Sequence, residues 1–107
     1  MPSYPKPTRY QSKSYRMYVA SKPCFSCGIS GYSQCCHRNG AGMGTKHSDL
    51  DTFPLCCARP GHVGCHAMHD LLLDMTLDQR KELEAEYVER MRAIAREDGR
   101  PEVMEAA

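Results

Sequence analysis

The 107-residue chain has no Trp and only two Phe, so no large aromatic core can form. It lacks a long apolar run. Leu71-Leu72-Leu73 is its longest aliphatic stretch, far short of the roughly 20 residues a membrane-spanning helix requires. The start, Met1-Pro2-Ser3-Tyr4-Pro5, has no hydrophobic segment of the secretory kind. Residues 1–48 contain no Asp or Glu at all. With seven Lys and Arg they carry +7, residues 49–107 carry −6, and the net of +1 hides the split. A one-signed half suits a polyanion such as nucleic acid. What the chain has in quantity is cysteine. Seven is an odd number, which full disulfide pairing cannot use, and paired cysteines with nearby histidines favour metal binding in a reducing, cytoplasmic setting.

Three parts and a short tail follow along the chain, within the length of one domain. Residues 1–20 read as a basic, flexible arm, with helix blocked at Pro2, Pro5 and Pro7 and order confined to Tyr15–Ala20. Its Tyr residues interleave with cations, a pattern suited to stacking on bases. Residues 21–75 hold every Cys and every His and are rich in Gly. A loop-rich stretch with so little to bury needs something other than apolar packing to hold it. Residues 76–98 predict an amphipathic helix. Thr76 and Gln79 fit a capping box; Leu77, Leu83, Tyr87, Met91 and Ile94 make a stripe; Gly99 and Pro101 end it. The stripe would pack on the metal domain or pair two copies into a homodimer. Residues 99–107 read as the tail, frayed over Glu102–Ala107.

Cys24-Phe25-Ser26-Cys27-Gly28 has the spacing of a zinc knuckle. Pro54-Leu55-Cys56-Cys57 and Gly64-Cys65-His66 follow. Cys24, Cys27, Cys56 and Cys65 would make a four-thiolate structural Zn²⁺ site, with Cys57 competing for the third position. Such a site is worth roughly 10–16 kcal/mol in small peptides, comparable to the whole stability of a domain. Redox use of Cys24 and Cys27 is disfavoured, because no βαβ pattern surrounds them.

A second constellation comprises His37, His66, His69 and Asp70. Gln34-Cys35-Cys36-His37-Arg38 reads as a strand, and Cys65–Asp70 as the opening of a short helix. Four residues apart, His66 and Asp70 share a helix face and can ligate one divalent ion, with His69 as the alternative second ligand. A neutral imidazole near a metal, as at His37, is a suitable general base for water.

The order Cys-x-x-Cys, a strand His, a Gly-rich loop, Pro-Leu-Cys and a helical Cys-His resembles the HNH endonucleases of the His-Me finger (ββα-metal) superfamily, in their zinc-knuckle subtype. His37-Arg38-Asn39-Gly40 through Asp49, followed by Pro54-Leu55-Cys56, is similar to phage and prophage nucleases of the recombination-enhancement (Ref-like) group. The resemblance covers about residues 22–75. It implies an α+β fold: a small zinc-stabilised ββα-metal domain flanked by the basic arm and the C-terminal helix. It implies a hydrolase of DNA phosphodiester bonds, cytoplasmic in a bacterial host if phage or prophage encoded. His37 matches the base that deprotonates water, and His66 the helix ligand of the catalytic ion, Mg²⁺ or Mn²⁺. Asp70 stands where the family has His or Asn. The family's central Asn has no clean match, since Asp49 or Asp51 occupies that region; a carboxylate there would hold the His37 ring or bind metal. Cys36 stands where many members carry an Asp or His ligand, a departure that weakens ion binding or favours a softer metal. Arg38 and Lys46 would hold neighbouring phosphates, and the Gly40–Gly44 run would let the backbone approach DNA. On this reading His37 and the ion at His66 and Asp70 converge on one spot. The alternative is a non-catalytic zinc-binding module for DNA or a protein partner, favoured by Cys36 and the missing Asn.

Overall fold

A two-stranded antiparallel sheet with helices on both faces organises the computed structural model, which describes residues 11–38, 48–72 and 75–105. The order is α1 (Lys13–Ala20), β1 (Ser33–His37), β2 (Thr52–Cys56), α2 (Cys65–Asp70), α3 (Leu77–Glu97) and α4 (Pro101–Glu105). This is a small α+β fold. No helix among the described residues is long and apolar enough to cross a membrane. Lys46 and the Gly40–Gly44 run lie outside the described residues, as do Tyr4 and Tyr10 of the arm.

The sheet register pairs Ser33 with Cys56, Cys36 with Phe53 and His37 with Thr52. Side chains alternate between strand faces. Cys36, Phe53 and Leu55 accordingly join one core cluster with Cys24, Cys56, Cys65 and Val88. Cys35 packs from the other face against a second cluster of Tyr15, Val19, Leu50, Met91, Ala95 and Val103. Through Val88 on one side and Met91 and Ala95 on the other, α3 ties the two clusters together.

The arm is ordered further back than the sequence reading placed it. Ser12 caps α1 by accepting a hydrogen bond from the Tyr15 amide at 3.1 Å, and Tyr15 and Val19 are fully buried. These two residues sit four apart, on one helix face. The helix-blocking prolines Pro2, Pro5 and Pro7 precede this segment in sequence.

The predicted long helix is present, and its Thr76–Gln79 capping box is formed in both directions, at 2.8 and 3.2 Å. Its buried face differs from the expected stripe. Glu84, Val88, Met91 and Ala95 are buried, Leu83, Tyr87 and Ile94 are half-buried, and Leu77 is 48% exposed. The stripe is rotated because Glu84 is paired inside, its Oε2 lying 2.9 Å from His69 Nε2. Small Ala95 also lets the second cluster close around α3. The face thus packs within the chain, against the sheet, α1 and α4.

The tail expectation is also corrected. Gly99, at φ +72°, ends α3 as expected. Pro101, however, opens a new helix, where its missing N–H is no loss. Val103 and Glu102 of α4 are buried. Arg100 fixes the return by donating to both Glu102 carboxylate oxygens, at 3.0 and 2.7 Å, and to Ser14 Oγ of α1 at 2.9 Å.

Candidate functional site

Two groups of metal-ligating side chains stand out among the described residues. In the first, the sulfurs of Cys24, Cys27, Cys56 and Cys65 all lie within 4.8 Å of one another. The knuckle is closed by the Gly28 amide donating to Cys24 O at 2.9 Å, with Gly28 at φ +80°. It docks on the sheet through the Phe25 amide, which donates to Pro54 O at 3.0 Å. Cys65 arrives at the start of α2 after Gly64 (φ 93°, ψ 137°), which passes close over the end of β2. That approach lets the Cys65 amide reach Cys56 Sγ at 3.3 Å.

The electrostatics of this cluster favour a bound cation. Burial raises the Cys56 thiol, yet the Cys65 amide and the Arg59 guanidinium, each 3.3 Å from its sulfur, help bring it down to about 6. Burial also raises Cys24, and backbone amides around it turn the net shift downward. Cys65 goes the other way, pushed up by burial and then by its thiol neighbours. Four sulfurs this close cannot all ionise unless a positive charge sits among them, and four thiolates are the donor set of structural zinc. The cluster can therefore hold a structural metal such as zinc. Cys56, not Cys57, is the third cysteine of the cluster. Cys56 ends β2 inside the core, whereas the half-buried Cys57 lies outside the cluster.

The second group is Cys36, His66 and Asp70, whose ligand atoms also lie within 4.8 Å of one another. Cys36 and Gln34 leave β1 on the face that meets α2. Gln34 Oε1 lies 2.9 Å from His66 Nδ1, and as an acceptor it fixes that nitrogen as the N–H. His66 Nε2 lies 3.3 Å from Asp70 Oδ2, a contact that needs either a proton on that nitrogen or a cation between the two atoms. Cys36 is almost fully buried; burial, then the carboxylates of Asp70 and Glu84, hold its thiol well above the usual range.

His37 engages a different partner. Its Nε2 lies 2.7 Å from Oδ1 of Asp49, a fully buried carboxylate in the turn before β2. The other oxygen, Oδ2, accepts from the Ser12 amide at 2.7 Å and from Arg16 Nη1 of α1. Burial raises the Asp49 carboxyl, but these three donors outweigh it and hold it below the usual carboxylate value.

The structure thus sorts the expected site residues. His66 and Asp70 come together, joined by Cys36, and Asp49 is the carboxylate on His37. Asp51 is not: its side chain accepts from Arg92 at 2.5 Å, and the Asp51 amide closes a turn onto Ser48 O at 2.9 Å, which sends residues 49 and 51 to different partners. His69 is set apart from the metal cluster, buried against Glu84 and edge-on to Phe53 at 5.7 Å. The Arg38 amide donates to Asp51 O at 3.1 Å beside His37. Nor do the two halves of the site meet on one spot. Cys36 with α2 and His37 with Asp49 leave neighbouring residues on opposite faces and flank the end of β1. Gln34, Arg16 and Glu84 were not singled out by sequence. Gln34 alone had a signal, its spacing of two from Cys36 on a strand.

No curated protein and no solved structure matches the chain. A family model described as a protein of unknown function (DUF968) matches residues 2–97, and with most of its length covered the chain belongs to that family.

Proposed function

We propose that this protein is a metal-dependent endonuclease of the HNH, ββα-metal kind, hydrolysing DNA phosphodiester bonds. One observation carries the reading. A three-donor metal cluster on one side of the end of β1 stands beside a histidine oriented by a buried carboxylate on the other. In-line displacement needs a base and a charge-stabilising group on different sides of phosphorus, which flanking positions supply. The reading requires a phosphodiester laid across the strand end, met by the ion from the Cys36 face and by His37 from the other.

The residues divide the work as follows. Ionised Asp49 can only accept, so His37 Nε2 donates to it and the ring lone pair sits on Nδ1. Nδ1 is then the atom that takes a proton from water. Asp49 holds the ring in that orientation. His66, Asp70 and Cys36 would hold a divalent ion, which when bound stabilises negative charge on the phosphoryl and leaving oxygens. Arg38, next to the base, and the basic N-terminal half attract the polyanion, so binding weakens steeply with salt.

Incubation with supercoiled plasmid tests this. With Mg²⁺, Mn²⁺, Ni²⁺ and Zn²⁺ tried in turn, wild-type protein should nick it with at least one ion, and His37→Ala should slow that nicking by about 10²–10⁴-fold, the typical worth of a general base. Equal rates would remove His37 from the chemistry.

One observation favours the second reading, a non-catalytic zinc module that binds DNA or protein. Asp49 joins Ser12 and Arg16 to His37, which gives the histidine a structural use in fastening α1 to the sheet. An intact plasmid with every ion, alongside retained DNA or protein binding, would decide for it.

A further inference from the structure

We propose that Cys36, His66 and Asp70 form a site for a thiophilic late first-row divalent ion, with zinc the physiological choice, rather than for magnesium or manganese. The inference shares its residues with the proposed hydrolysis, and its test reads bound metal, so either can fail alone.

The donor set decides the ion. One sulfur, one imidazole nitrogen and one carboxylate oxygen lie within 4.8 Å of one another, the spread expected of ligands around one small cation. Magnesium takes oxygen ligands in an octahedral shell and sheds water reluctantly. Thiolate and imidazole select the later metals instead. Three protein ligands plus an open position is the arrangement of a reactive zinc site, whereas the four-cysteine cluster is a closed, structural one.

Two further features mark the site as built. Gln34 Oε1, 2.9 Å from His66 Nδ1, orients the imidazole from behind, as outer partners of metal-bound histidines do. A groove of about 440 Å³, lined by Gln34, Cys57, His66, Ala67 and Asp70 among others, opens beside two of the three ligands. It gives the ion a face accessible to a phosphate or water. Cys36 closes the opposite side from within the core, 1% exposed.

The test is cobalt and zinc stoichiometry on the full chain. Wild-type protein, stripped and reloaded with Co²⁺, should bind two ions per chain, one in the four-cysteine cluster and one here. Both should show thiolate-to-cobalt charge-transfer absorption. Cys36→Ala should bind one ion, with the absorption of the four-cysteine site retained, and Cys57→Ala should still bind two. Because Cys36 is buried, two surface variants keep the test sound if Cys36→Ala fails to fold. Gln34→Ala should weaken the second ion by about 10–100-fold, the usual effect of losing an outer partner. Asp70→Ala should abolish or weaken it likewise. A hundredfold excess of Mg²⁺ should displace neither ion. One ion per chain in wild type, a second ion indifferent to Cys36, Gln34 and Asp70, or displacement by Mg²⁺ would each overturn the proposal.

Discussion

Gly64→Ala offers a quantitative probe of how the chain closes the four-cysteine cluster. A Cβ built at Gly64 would lie 2.7 Å from both Ala58 N and Cys57 C, and 3.0 Å from Cys56 O. All three are backbone atoms, which cannot swing aside. The residue also sits at φ 93°, ψ 137°, close to a region essentially restricted to glycine. Conformational strain of this kind costs about 1–3 kcal/mol, and overpacking adds about 1–3 kcal/mol. The sum is about 4 kcal/mol. Gly61 is the control: it has a similar φ of +80°, but a Cβ there would meet nothing within 4 Å. Its cost is strain alone, about 1–2 kcal/mol. The difference of about 2 kcal/mol should appear as an extra fall in Tm of about 8 °C or more, at the 4–8 °C per kcal/mol of a domain this size. The assay is thermal unfolding of zinc-loaded protein followed by circular dichroism. Gly64→Ala should also weaken zinc, because relief of the clash moves the Cys65 amide away from Cys56 Sγ. Equal Tm losses for the two variants would refute the close-approach argument.

Other expectations follow from the same geometry. Cys56→Ser should abolish zinc in the four-cysteine cluster and Cys57→Ser should leave it intact, as metal analysis of the dialysed proteins will show. Asp49 has a folded-state carboxyl lowered below its ordinary value, so its stabilising effect is fully present above about pH 4 and is lost as pH falls through the folded value. The gap in urea midpoint between wild type and Asp49→Asn should therefore shrink on acidification below pH 4; a constant gap would contradict the buried ion network. Glu84→Ala strips the buried partner from His69 and should cost about 1–3 kcal/mol in urea unfolding, the penalty for an unpaired buried polar group, whereas Glu86→Ala on the exposed face of α3 should change little.

Much of this arrangement was legible in the sequence wherever a residue's role is set by local spacing. Cys24 and Cys27, the capping box at Thr76 and Gln79, the strand at Gln34–His37 and the helix opening at Cys65 each depend on neighbours a few positions away. The residues that escaped depend on long-range partners. Glu84 reads as an exposed charge until His69, 15 residues upstream, is placed against it. Tyr15 and Val19 read as part of a basic arm because charge and proline dominate their surroundings, yet they bury fully against α3 and α4. Asp49 and Asp51 are equivalent in sequence, and only the turn onto Ser48 and the position of Arg92 separate them. Cys36 was visible as an odd residue at a ligand position. Its contact with His66 and Asp70 required knowing which face of β1 meets α2.

In the proposed hydrolysis, His37 and an ion on His66 and Asp70 act on the same phosphodiester. The most direct test of this is a crystal structure of metal-loaded protein with a short DNA duplex, with anomalous scattering locating the ion. Anomalous density is expected among Cys36, His66 and Asp70, with one phosphate oxygen in the ion's open position and His37 Nδ1 facing the same phosphorus from the other side. DNA phosphates lying away from the end of β1, or a His37 ring that reaches only Asp49 and no phosphate, would contradict it.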